Sequence, residues 1–137
     1  MSVRAPDRKP GKLDVNTKAK GFCKHTLTIT SNRNVFYKGY DDVLTQIRQA
    51  AIDIHKYCWI ANNIRVDNNV DRYYRRIELQ ARAVDTCVAL GALIDLAKSL
   101  WHLSGSKVKY WNDLLVDLRK NISAWRSSDV QRLKPKA

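Results

Sequence analysis

Apolar residues recur every three or four positions along most of the chain from residue 41 onward, which is the spacing of one face of an α-helix. Two acidic residues, Asp41 and Asp42, stand at the start of the first such segment, where negative charge is favourable at the positive end of the helix dipole. The turn-prone stretch "NNIRVDNN" at 62–69 ends it. Its apolar face consists of Leu44, Ile47, Ala51, Ile54, Cys58 and Ala61.

Two further helices follow the same rule. One is predicted to run from about Val70 to Leu103, with Asp67 or Asn69 as its cap and "SGS" at its end. The last helix is predicted to start with Ser106 as its N-cap. Its apolar stripe comprises Trp111, Leu115, Leu118, Ile122 and Trp125. Since short loops join these helices, we expect an all-α, antiparallel bundle.

The N-terminal part of the chain lacks this pattern. Residues 1–24 include Pro6, Pro10 and Gly11, which disfavour a helix at the start of the segment. The segment is predicted to form a basic flexible leader, or at most a short helix around Leu13–Lys20. The stretch "HTLTITSNRNVFY" at 25–37 alternates Thr with Leu and Ile, which predicts a short extended piece or a loop. Any N-terminal helix is therefore expected to be short or irregular.

The length of 137 residues fits one domain. We expect a helical bundle domain at 25–129, preceded by the leader at 1–24 and followed by a frayed basic tail at 130–137. The first twenty residues lack the apolar core of a signal peptide, and the most apolar stretch, "TCVALGALI", is shorter than the roughly twenty residues that a membrane span needs. A cytoplasmic protein without membrane association is predicted. The three cysteines, Cys23, Cys58 and Cys87, are odd in number and far apart, and Cys58 and Cys87 fall on apolar faces, which predicts buried free thiols.

The long helix is apolar nearly all round from Val84 onward. A helix of this kind is buried on all sides, yet a small bundle leaves part of each helix exposed. We therefore predict that the additional apolar face contacts another subunit. One side carries Cys87, Leu90, Ile94, Ala97 and Trp101, and the others carry Ala92, Leu93, Leu96, Leu100 and Leu103.

Positive charge is the strongest functional signal. The chain has 25 Lys and Arg residues against 13 Asp and Glu, a net charge of +12, and Glu78 is its only glutamate. Such an excess attracts polyanions, and the planar fork of arginine suits phosphate groups, beside which Tyr73 or Tyr74 could stack on unpaired bases. The alternative is a merely solvated surface, which would place acidic residues at i±4. The predicted nucleic-acid-binding residues are Arg72, Arg75, Arg76, Arg82, Lys107, Lys109, Arg119, Lys120 and Arg126.

Catalytic, metal and cofactor sites are not predicted. Asp113 and Asp117 share a helix face, but two carboxylates are fewer oxygens than a hard cation requires. "CKH" at 23–25 lacks a second pair of zinc ligands. One enzymatic alternative stays open: in "RQAAIDIH" the spacing of Arg48 and His55 is similar to the arginine–histidine pair of helical HEPN ribonucleases.

The segments "RRIELQARAVDTCVALGALIDLAKSLWHLS" and "SKVKYWNDLLVDLRKNISAWRSSD" resemble the accessory variability determinant (Avd) proteins of diversity-generating retroelements. The entry into the long helix, its Leu/Ile/Ala-rich body, the "YW" at the start of the last helix and the Trp-Arg near its end carry the resemblance, which covers about residues 32–129.

This resemblance implies a bacterial or phage-encoded four-helix bundle that forms a basic homopentameric ring. Such a protein binds the reverse transcriptase and its template RNA, supports mutagenic cDNA synthesis and has no catalytic site of its own. Proteins encoded within ribosomal RNA intervening sequences share the fold and remain an alternative. So does a purely structural protein whose basic surface meets an acidic protein.

Overall fold

Four helices and no strand make up the part of the chain that the computed structural model describes, residues 12–136, with side chains from residue 15 onward. α1 and α3 each contact both α2 and α4, so the helices form a closed bundle around one main core. The helices are α1 (Lys12–Thr30), α2 (Asp41–Asn62), α3 (Val70–Trp101) and α4 (Gly105–Arg132).

The three helices predicted from apolar spacing are confirmed. All six residues of the α2 stripe are buried, and so are the five of the α4 stripe. Asn69 is the cap of α3, because its side chain accepts a hydrogen bond from the backbone N–H of Arg72 at 3.0 Å. α3 ends two residues earlier than predicted, where His102 adopts a left-handed conformation with φ of 52°. Ser106 is not the cap of α4, since this helix already begins at Gly105.

The N-terminal segment is more regular than predicted where the structure describes it, and of the predictions for it only the short helix around Leu13–Lys20 is confirmed, as part of a longer helix. α1 is a helix of 19 residues that covers Lys12–Thr30, so these residues are neither a flexible leader nor an extended piece. Residues 1–11 of the predicted leader lie outside the described residues. The full helix is not predicted from the sequence because polar side chains at some inward positions interrupt its apolar pattern. The buried residues are Val15, Asn16, Ala19, Phe22, Cys23, Thr26 and Thr30.

Hydrogen bonds make the two inward threonines of α1 suitable for a core. The indole Nε1 of Trp111 on α4 donates to Oγ1 of Thr26 at 3.0 Å. Oγ1 of Thr30 donates to the carbonyl of Thr26 at 2.6 Å, and it accepts from the guanidinium of Arg48 on α2 at 2.7 Å. A buried hydroxyl that is fully bonded costs little, so these bonds attach α1 to both of its neighbours.

The loop between α1 and α2 closes one end of the bundle with aromatic side chains. Phe36 is buried and packs edge-on against Trp101 and Trp111, with ring centroids 5.1 and 6.2 Å away. Nε1 of Trp101 donates to the carbonyl of Tyr37 at 2.8 Å. Although the segment 31–40 is not helical and is mostly exposed, it contributes Phe36 to the core.

A second, smaller core lies at the opposite end. Val66, Tyr73 and Ile77 are buried there against Val130 and Leu133. The Tyr73 hydroxyl donates to the carbonyl of Val130 at 3.1 Å. α4 thus continues through the beginning of the predicted tail, and the proposed boundary at residue 130 is wrong.

All three thiols are buried and unpaired, which confirms the prediction for Cys58 and Cys87. Burial raises the pKa of Cys58 to about 12, and the neighbouring Cys87 raises it further. Burial also raises the pKa of Cys87 to about 12, against the opposing effect of Arg119.

The Thr26–Trp111 bond provides a test of how α1 docks. Thr26→Val keeps the shape of the side chain but leaves the indole N–H without an acceptor, so the free energy of unfolding should fall by about 1–3 kcal/mol. Thr28→Val is the matched control, because Thr28 is exposed on the same helix, and it should change stability by less than about 0.5 kcal/mol. Urea denaturation followed by circular dichroism measures both. Equal stability of the two variants would contradict this docking.

Candidate nucleic-acid interface

Arg76 does not belong to an exposed basic surface. It is only 4% exposed, and its Nε donates to Oδ2 of Asp129 at 2.8 Å. Its NH1 donates to the carbonyls of Ala61 and Ile64 at 3.2 and 3.0 Å. The guanidinium also lies over the ring of Trp125, 5.4 Å from the centroid. The prediction that Arg76 contacts nucleic acid is therefore wrong, and its role is structural.

Asp129 is the partner that explains this burial. Its carboxylate is fully buried and also accepts from Nε2 of Gln80 at 2.7 Å and from NH2 of Arg132 at 2.9 Å. The sequence did contain a signal for this network. Gln80 and Asp129 occupy inward positions, seven residues after Tyr73 and four after Trp125, where polar side chains need partners.

The other three predicted arginines of α3 are exposed, and we call them the α3 arginine group: Arg72, Arg75 and Arg82. Arg82 pairs with Glu78 at 3.1 Å, and Arg72 lies 3.9 Å from Asp67. Exposed pairs of this kind contribute little and leave the arginines free to exchange partners. Arg75 has no ion pair within the described chain.

The two tyrosines beside this group differ in their exposure to solvent. Tyr73 is buried in the small core, whereas Tyr74 is 61% exposed. Only Tyr74 is therefore placed for stacking on a base at the surface.

α4 contributes an exposed group of three lysines, the α4 lysine group: Lys107, Lys109 and Lys120. Lys109 pairs with Asp113 on its own helix at 2.7 Å, while Asp117 pairs with Lys18 of α1 at 2.8 Å. These two acidic residues thus form surface ion pairs.

Arg119 and Arg126, the two arginines of α4 in the predicted set, differ from the lysines because they are half-buried. Nε of Arg126 donates to the carbonyl of Ile77 at 3.1 Å and so connects α4 to α3. Arg119 lies near enough to Cys87 to act on the pKa of that thiol. Both are less exposed than the α3 arginine group and the α4 lysine group, which are therefore the more accessible phosphate-binding candidates.

Among the described residues, Arg48 and His55 line different hollows. The guanidinium of Arg48 donates to the carbonyl of Leu27 and to Oγ1 of Thr30, at 3.0 and 2.7 Å, at the carboxyl end of α1. It lines a hollow with Arg33 and Asp41, whereas His55 lines a different one. An arginine held in this way has a clear structural role.

Within residues 12–136 there is no cluster of three or more His, Cys, Asp or Glu side chains that could hold a metal ion. His25 of the "CKH" stretch lies edge-on against Tyr110, with ring centroids 5.4 Å apart. In the same part of the chain no helix has both the length and the apolar character of a membrane span. Comparisons of the chain with family models, with curated proteins and with solved structures gave no match.

Adjacent arginines give a test that separates structure from surface charge. Arg76→Gln should lower the free energy of unfolding by about 3–5 kcal/mol, because Asp129 would stay buried without its buried charge partner. Arg75→Gln removes the same charge from an exposed position and should change stability by less than about 0.5 kcal/mol. Guanidinium denaturation measures both variants. A stable Arg76→Gln protein would show that the ion pair is dispensable.

Proposed function

We propose that the protein is a non-enzymatic, nucleic-acid-binding accessory protein of a diversity-generating retroelement. In this proposal an antiparallel four-helix bundle assembles into a homo-oligomer, a pentamer by the resemblance, and binds the template RNA and the reverse transcriptase to support mutagenic cDNA synthesis. The reverse transcriptase and the retroelement come from the resemblance of the α3 and α4 segments to Avd proteins. The affinity for nucleic acid and for further copies is supported by the surface itself.

The observation that carries the nucleic-acid proposal is exposed, uncompensated positive charge on α3 and α4. Arg75, Lys107 and Lys120 have no ion pair among the described residues, and the pairs formed by Arg72 and Arg82 are exposed. Phosphate groups compete effectively with such weak pairs, since binding releases counterions from the polyanion. Burial of Arg76 removes one residue from the predicted set and leaves the accessible charges of the two groups in place.

An exposed apolar row on α3 supports self-association. Val88, Ala92 and Leu96 follow one another at intervals of four residues, and Val88 and Leu96 are 60% and 43% exposed. A row of this kind on the outside of a small bundle is typical of a subunit contact. Arg75, Arg82 and Leu96 are spaced by multiples of seven residues, so they lie on a similar side of the helix.

The proposed assembly therefore links charge and contact on one helix. If copies associate through the apolar half of α3, their arginines come close to those of neighbouring copies. Like charges would then repel unless an anion lies between them. A polyanion such as RNA would supply the compensating charge, so oligomerisation and nucleic-acid binding should strengthen each other.

The nucleic-acid proposal is tested with the triple variant Arg72→Gln, Arg75→Gln and Arg82→Gln. Affinity for a labelled structured RNA at low salt should fall strongly, and the slope of log K against log salt should decrease by up to about 3, or roughly one per lost phosphate contact. The control variant carries Lys24→Gln, Lys38→Gln and Lys98→Gln, three exposed lysines outside both groups, and has the same net charge. Native gel shifts between 50 and 200 mM salt measure both.

Equal loss in the two triple variants would show that only total charge matters, and would remove the α3 arginine group from the proposal. A denaturing gel of the same mixtures tests the enzymatic alternative. RNA that is shortened by the wild-type protein but not by His55→Ala would overturn the non-enzymatic assignment.

Self-association is tested by Leu96→Glu, which places a charge in the apolar row. We expect the oligomer to dissociate toward smaller species, because an unpaired charge would be buried at the contact. Val116→Glu on α4 is the matched control, since Val116 is 37% exposed and outside the row. Sedimentation velocity gives the size of each variant, and circular dichroism checks that both remain folded. An unchanged size for Leu96→Glu would exclude this face as the contact.

A further inference from the structure

A hollow between α1 and α2 has a composition that the basic groups of α3 and α4 do not explain. Its volume is ≈ 500 Å³, it is open to solvent, and it is lined by Lys20, His55, Lys56, Trp59 and Ile60. No acidic residue is among these five. Neither lysine takes part in an ion pair within residues 15–136.

Trp59 is the unusual member of this group. Its side chain is 58% exposed, whereas Trp101, Trp111 and Trp125 are 3%, 1% and 5% exposed. It stands near the carboxyl end of α2, where Asn63 donates to its backbone carbonyl at 2.8 Å, and its ring lies 6.1 Å from that of His55. An indole held in position yet left open on a rigid helix is a ready surface for a second aromatic ring.

His55 adds a hydrogen-bonding group to the hollow. Its Nδ1 is buried and has no partner within the described chain. A buried polar atom without a partner is unfavourable, which singles out this imidazole as a hydrogen-bonding group that the bundle does not use. The hollow thus combines one aromatic face, one imidazole and two ammonium groups.

We propose that this hollow binds an unpaired nucleotide of a single-stranded nucleic acid. The base stacks on Trp59, and the flanking phosphates are bound by Lys20 and Lys56. Stacking on an aromatic side chain within a positively charged groove is how proteins bind single strands without reading their sequence. A base within a duplex is already stacked and paired, so the hollow selects single strands. This inference rests on the proposed function for the class of ligand, a nucleic acid. It does not rest on the α3 arginine group or the α4 lysine group, because the hollow lies on α1 and α2.

Binding in the hollow can be followed by fluorescence in the intact protein. Trp101, Trp111 and Trp125 are buried, so a ligand that stacks on an indole reaches Trp59 alone among the four tryptophans. A twelve-nucleotide oligouridylate should quench the tryptophan fluorescence of the protein in low salt, because its bases stack on the exposed ring of Trp59. Trp59→Phe should abolish the quenching but retain affinity within about threefold, since a phenyl ring still stacks. Trp59→Ala should weaken binding by roughly tenfold or more. A twelve-base-pair RNA duplex should bind without quenching.

The role of the lysines in the hollow is tested by comparing two single variants. Lys56→Gln should weaken oligouridylate binding several-fold more than Lys24→Gln, which removes the same charge from an exposed position on α1 outside the hollow. This comparison also remains informative if Trp59→Ala does not fold. Equal affinities for the two lysine variants, or equal quenching by duplex and single strand, would overturn the proposal.

The test separates this inference from the proposed function. Duplex binding that is lost in the α3 arginine variant while no oligouridylate quenching occurs would overturn the Trp59 site alone. Quenching by oligoglutamate but not by oligouridylate would also overturn it, since the occupant would then be an acidic peptide. Quenching that persists in the α3 arginine variant would support an independent site on α1 and α2.

Discussion

The ion pair between Arg76 and Asp129 is the interaction on which one end of the bundle depends. Each charge would cost several kcal/mol to bury alone, so both require the other and a full set of hydrogen bonds. Arg76 also donates to the carbonyls of Ala61 and Ile64 at the carboxyl end of α2, where the helix dipole favours positive charge. One guanidinium thereby fixes α2, α3 and α4 relative to one another, and Gln80 completes the set.

The opposite end is held by different chemistry. There Phe36, Trp101 and Trp111 pack edge-on, and the indole N–H groups of the two tryptophans reach the carbonyl of Tyr37 and the hydroxyl of Thr26. The middle of the core consists of aliphatic side chains that many sequences could supply. Directional bonds at both ends thus define which helices pair, and they use only one of the four arginines at 72–82. The other three, Arg72, Arg75 and Arg82, stay at the surface, where they contribute little to folding and are available for a ligand.

The sequence predicts α2, α3 and α4 because their apolar residues follow the helical period without interruption. It does not predict α1, in which Thr26 and Thr30 occupy core positions and become acceptable there only through bonds to Trp111 and Arg48, far away in the chain. The sequence also does not show that Arg76 is buried and Arg75 exposed, since this difference too depends on a partner that is distant in the chain. Adjacent arginines look alike until Asp129, 53 residues later, is known to be the partner. Exposure of the remaining basic residues is predictable from the helical period, whereas the Trp59 hollow depends on where α1 lies.

The two proposed binding surfaces, which lie on different helices, would favour one kind of polyanion over another. A duplex is stiff over about 150 base pairs, so on a protein of this size it contacts one side, such as that of the α3 arginine group. A single strand bends freely and can place a base on Trp59 while its neighbouring phosphates reach further basic residues. Linking two weak contacts through one flexible chain raises the overall affinity by the effective concentration of the second site. An accessory protein of a polymerase that copies RNA would gain from this preference, because the template must be unpaired where it is read.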